Sequence, residues 1–97
     1  MPFYRVEVEV DRAGVDFAPI LDKLVGLHPV LSDSRRGWSR ALITIPANSL
    51  SQAVADGVAV VSAAFDAQPI SVTAMSNDEW NARDYDSVPN IVETSSE

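Results

Sequence analysis

Few residues in this chain are of the types that do covalent chemistry, and their spacing keeps them apart. There is no cysteine, which excludes disulfides, zinc–thiolate sites and thiol nucleophiles. The one histidine, His28, precedes Pro29, and no serine or second ligand-type side chain stands at a spacing that would pair with it. Carboxylates occur in pairs, Glu7 with Glu9 and Asp84 with Asp86. Acid–base work by such a pair needs a cleft and a site for the reacting atom, whereas acids alternating along a strand are an ordinary solvent face. The cations cluster instead: Arg35, Arg36 and Arg40 flank Trp38. That group could grip an anion, an acidic partner or the chain's own acidic C-terminal residues. The plainer expectation is a solvated hairpin whose Trp38 packs on an arginine. The pattern points away from an enzyme and implies no cofactor and no metal.

The charge balance narrows the partners. The net charge is −7 over 97 residues. Residues 1–75 hold six Lys/Arg against eight Asp/Glu, and residues 76–97 hold Arg83 against six acids. The body is near neutral and the C-terminal segment carries the acid. Affinity for nucleic acid rests on cationic contacts to phosphate, so no direct DNA or RNA binding by this chain is expected. No apolar run approaches the roughly 20 residues of a membrane span. Residues 1–5 lack the apolar core of a signal peptide. Together these imply no membrane association and a cytoplasmic location.

The elements that must position these residues follow from periodicity. In Phe3-Tyr-Arg-Val-Glu-Val-Glu-Val10, residues 4, 6, 8 and 10 share one face, the pattern of a half-buried strand. Phe17, Ile20, Leu21, Leu24 and Val25 form a helical stripe, with Asp16 as N-cap, Pro19 in the first turn and Gly26 as the stop. Two short apolar runs around the Arg-Arg-Gly of residues 35–37 predict a hairpin, with Ala41, Ile43 and Ile45 facing in and Pro46 ending the second strand. Ser49 and Gln52 form a capping box opening a long helix, whose stripe reads Leu50, Val54, Val58, Val61 and Phe65. Gly57 weakens that helix by about 1 kcal/mol against Ala and so marks a close approach to a strand. Ile70, Val72 and Ala74 alternate inward in a last strand, and Ser76 with Glu79 caps a short helix.

The order is β-α-β-β-α-β plus a short helix. This predicts an α+β, ferredoxin-like βαββαβ sandwich: a four-stranded antiparallel sheet with two helices on one face. Residues 1–75 form the domain, 76–85 an appended helix, and 86–97 an acidic linker or tail. The open sheet face would carry Phe3, Arg5, Glu7 and Glu9, then Arg40, Leu42 and Thr44, then Ser71, Thr73 and Met75. It lacks the central-strand aromatics that stack bases in RNA-recognition folds of this topology. Self-association, or cover by the C-terminal helix through Trp80 and Tyr85, fits it better.

Two stretches resemble known families. Asp11 and Gly14, between the first strand and helix, resemble the turn that opens ACT regulatory domains, with Ala13 where proline is usual. That resemblance covers about fourteen residues and implies a small-ligand site at the turn. The stretch from Pro69 to Glu97 resembles the junction of an actinobacterial and actinophage family of two-part proteins. The matching positions are Met75, Ser76, Asp78, Glu79, Trp80, Arg83, Val88, Pro89, Ile91, Val92 and Glu97. Residues 46–65 are similar to that family's second helix. Members continue into a helix-turn-helix, which has no counterpart in these 97 residues. The resemblance implies the N-terminal assembly or sensing part of a DNA-binding regulator, with the sequence stopping at a domain boundary.

The leading expectation is therefore a non-enzymatic module that forms homo-oligomers through its sheet, an edge strand or its C-terminal helix. The alternatives are an ACT-like ligand-binding domain and a stand-alone phage protein that binds a host or regulatory protein. The contact residues would be Arg35, Arg36, Trp38, Arg40, Leu42, Met75, Trp80 and Tyr85, and the ligand turn would involve Asp11 and Gly14.

Overall fold

The structure, a computed structural model, describes residues 2–82. It contains β1 (Phe3–Val10), α1 (Phe17–Lys23), β2 (Val30–Asp33), β3 (Ser39–Pro46), α2 (Leu50–Phe65) and β4 (Pro69–Ser76). A short helix, α3, follows at 77–82. The strands form one antiparallel sheet in the order β2-β3-β1-β4. This is the α+β ferredoxin-like sandwich that the element order implies.

Alternation decides which strand residues go inside. Val6, Val8 and Val10 of β1 are fully buried, as are Ala41 and Ile43 of β3, with Ile45 nearly so. Register puts Val6 opposite Ile43 and Ala74, and Val8 opposite Ala41 and Val72. Directly opposed residues share a face, so these side chains form the layer that the helices cover. Residues between them, from Arg5 to Glu9 and from Arg40 to Thr44, face outward.

The helix stripes need correction. Along α1, Ile20 and Leu24 are buried, but Leu21 is 41% and Val25 80% exposed. The helix ends at Lys23, with Leu24 capping it, so Val25 lies beyond the last turn and the stripe is shorter than its spacing suggests. Along α2, the buried residues are Ala53, Gly57, Val61, Ala64 and Phe65, whereas Leu50 is 47% exposed. The buried line is thus turned toward the small residues. The reason is the close approach marked by Gly57: a Cβ built there would lie 2.6 Å from Val6 Cγ1. A helix seated that near the sheet presents small side chains at its centre and turns bulkier ones to the flanks.

Local chemistry fixes the ends of α2. Ser49 Oγ accepts from Gln52 N–H at 3.1 Å, while Gln52 Oε1 reaches back to Asn48 N–H at 3.2 Å. At the other end Asp66 takes a left-handed φ of 53°, and its N–H and that of Ala67 return to the carbonyls of Ala63 and Ser62. Arg12 Nη1 donates to Phe65 O at 2.5 Å and Lys23 Nζ to Ala64 O at 3.5 Å. No basic residue lies in the last turn of α2 itself, so these two cations, brought from elsewhere in the chain, complement its negative end.

Candidate interaction surfaces

The hairpin forms as the Arg-Arg-Gly signal predicts, and Gly37 supplies the left-handed residue with φ 85°. Trp38 O accepts from Ser34 N–H at 2.6 Å, and Ser34 O accepts from Gly37 N–H at 3.0 Å. The arginines do not converge outward. Arg36 Nη2 lies 3.1 Å from Glu9 Oε1, and Arg40 Nη1 lies 3.4 Å from Glu7 Oε2. Arg40 Nε also donates to Ser32 Oγ at 2.9 Å. Arg35 alone of the three is exposed with no ion pair among the described residues. Two of the three cations therefore pin the hairpin to the open face of β1. Trp38 is half-buried, and the cation–ring contact falls on Trp80, not on Trp38.

Glu9 is the polar centre of this arrangement. Although alternation places it on the open face, it is only 8% exposed. Ser71 Oγ donates to its Oε1 at 3.2 Å, alongside Arg36. Its pKa lies below the ordinary 4.5: the Ser34 hydroxyl has the largest lowering influence, burial opposes it, and Ser71 and the Arg36 charge add to the lowering. Glu7 and Glu9 are thus each paired with an arginine, while Glu9 Oε2 has no hydrogen-bond partner among the described residues. Asp84, Asp86 and Tyr85 lie outside the described residues.

The rest of the open face is partly closed by α3. Arg5 Cζ lies 5.0 Å from the centroid of the Trp80 ring, and Arg5 sits in register between Thr44 and Met75. Met75 and Leu42 are half-buried, while Phe3 remains 53% exposed. Trp80 thus packs back onto the sheet, as its position after β4 suggests, with Arg5 as its contact. Ser76, the last residue of β4, accepts from Glu79 N–H at 3.1 Å and caps α3.

The β1–α1 turn opens on a cleft of about 440 Å³, lined in part by Arg12, Gly14, Asp16, Lys23, Phe65 and Asp66. Gly14 has φ 67°, the backbone freedom the turn requires. Asp11 does not line the cleft; its N–H donates to Gln68 O at 2.8 Å and ties the end of β1 to the start of β4. Both cations in the cleft are engaged by the end of α2. His28 is exposed with φ 53°, and no group of three or more His, Cys, Asp or Glu residues is arranged to hold a metal among the described residues. No helix among them is long and apolar enough to cross a membrane.

The surface that hydropathy alone did not reveal is the outer edge of β4. The strand is terminal in the sheet, eight residues long and without a charged residue. Ile70 and Val72, expected inside, are 42% and 40% exposed. Val72 faces the helix side, since it opposes the buried Val8, while the pairing with β1 shifts register at Ile70; the edge position leaves the flank of the strand uncovered. No family model matches the chain, and no curated protein or solved structure matches it significantly.

Proposed function

We propose that this chain is a non-enzymatic assembly module that brings copies of itself together. The resemblance to the two-part family supports the further proposal that the module acts in a DNA-binding regulator, where assembly would set how a DNA-contacting part is presented. The observation that carries the assembly reading is the uncharged eight-residue edge of β4 with two half-exposed branched side chains. Long unprotected edges are templates for another strand, and proteins that stay monomeric blunt them with charge, proline or shortness. Of the candidate acids, Glu7 and Glu9 are each engaged by an arginine. Light scattering over a range of concentrations tests the reading: a mass that rises from one toward two chains supports it, and a constant monomer mass at high micromolar concentration removes it.

The cleft beside Gly14 favours a second reading, an ACT-like ligand site. Thermal-shift measurements with amino acids and nucleotides test it. A ligand at 100 times its Kd adds about 2.7 kcal/mol to stability, a shift of several degrees in a domain of this size. No shift with any of these compounds removes this reading.

A further inference from the structure

The two edges of the sheet differ in a way that names a partner. At one end β2 is four residues long, follows Pro29 and ends in Asp33, three devices that discourage pairing. At the other end β4 has twice the length, no charge, and only Pro69 at its start. Every second residue of β4 turns its N–H and C=O away from β1.

The apolar surface continues from β4 onto α2. Val60 and Ala63 of α2 share a shallow groove with Lys23 of α1, so that flank of α2 faces α1. Val54 and Val58 lie about 120° to 160° around the helix from Val60, on the flank toward β4. Both are half-buried.

The lack of charge also selects the occupant. Antiparallel pairing of identical strands about a two-fold axis sets each residue near copies of its own neighbours. A charged edge then opposes itself, whereas Pro-Ile-Ser-Val-Thr-Ala-Met-Ser does not. A charged peptide would gain no ion pair from this edge. The surface is self-complementary, as an isologous interface requires.

We infer that β4 pairs antiparallel with β4 of a second copy about a two-fold axis at Val72, joining two four-stranded sheets into one of eight strands. This rests on the assembly reading above and specifies its geometry. Opposed residues must share a face, and a centre at Val72 pairs residues 69–75 of the two strands and leaves Ser76 just beyond the paired stretch. Val72 then opposes the partner's Val72, Ile70 opposes the partner's Ala74, and Ser71 opposes the partner's Thr73. The two chains leave β4 at opposite ends of the joined strands, with their Ser76 residues offset by about 27 Å along the strand direction at ~3.4 Å per residue. That offset fixes where α3, and whatever follows it, emerges from each copy.

Because the chain has no cysteine, Val72→Cys introduces a single thiol. Across an antiparallel pair the Cβ atoms are about 4.5–5.5 Å apart, within a small adjustment of disulfide geometry. Mild oxidation of V72C gives a cross-linked dimer, while V60C on the opposite flank of α2 gives none. In parallel, V72K keeps the far-ultraviolet circular dichroism of the parent and raises the dimer dissociation constant at least about tenfold, since a lysine then faces a lysine across the axis. A wild-type dimer that V72C fails to cross-link and V72K fails to weaken overturns the edge pairing but leaves assembly standing. A monomeric wild type removes assembly itself. Should V72K unfold, cross-linking of V72C decides between the two.

Discussion

Replacing Gly57 by alanine sets two effects of opposite sign against each other. In the interior of an exposed helix the change stabilises by about 1 kcal/mol, through lower chain entropy in the unfolded state and better helix propensity. Here the new Cβ would meet Val6 Cγ1 at 2.6 Å and Val6 Cβ at 3.1 Å. Val6 is fully buried in β1, a central strand, and its β-branched side chain has little rotamer freedom. It cannot swing away, so strand and helix must separate. Overpacking of this kind costs about 1–3 kcal/mol, and so short a contact with a stiff neighbour belongs at the upper end. The expected net effect is a loss of about 2 kcal/mol, which lowers the melting temperature by roughly 8–16 °C in a domain of this size. Urea denaturation followed by circular dichroism measures it. V6A removes the nearest clashing methyl, Cγ1, and leaves the Cβ contact at 3.1 Å, so the V6A/G57A double variant should be more stable than the sum of the single losses predicts, with a coupling of about 1–2 kcal/mol. A G57A protein more stable than the parent would refute the close helix–sheet contact.

Three further outcomes follow from the geometry. Glu9 has a lowered pKa in the folded state, so its contribution to stability is present above the ordinary value of 4.5 and is lost as pH falls through that value and below it. The acid limb of a melting-temperature profile should be flatter for E9Q than for the parent, and equal slopes would contradict the Arg36–Glu9–Ser71 arrangement. Ser49→Ala should destabilise by about 1 kcal/mol in urea unfolding, the usual worth of an N-cap hydroxyl; no measurable loss would mean the cap is idle. Val61→Ala should cost about 2 kcal/mol or more, while Leu50→Ala should cost less than about 1 kcal/mol because Leu50 is half in solvent. Equal costs would restore the helix stripe that hydropathy suggests.

What was legible in the sequence was local. The alternation of β1 and β3, the Asp16 and Ser49 caps, the hairpin glycine and the order of the elements all depend on near neighbours, and the structure shows them where the pattern puts them. What was not legible depends on how closely layers approach and what lies beside them. Periodicity placed Leu50 and Val54 in the core because they are large and apolar, but a helix seated tightly over Val6 selects Ala53 and Gly57 for that line. Gly57 itself was the available signal. For Val72 the alternation gave the correct face, yet a face does not reveal that the strand stands at an edge. The arginines of the hairpin were visible as charge, whereas their pairing with Glu7 and Glu9 arises from the meeting of β3 and the β2–β3 turn with β1. For the same reason Glu9 read as an exposed acid until Ser71 and Arg36 closed around it.

Assembly through β4 is tested most directly by amide hydrogen exchange as a function of protein concentration. Pairing predicts that the outward-facing amides within Pro69–Ser76 slow as concentration rises from low to high micromolar, while those on the outer edge of β2 keep their rate. Exchange on β4 that is equally fast at every concentration, or protection that appears on β2 instead, would contradict it.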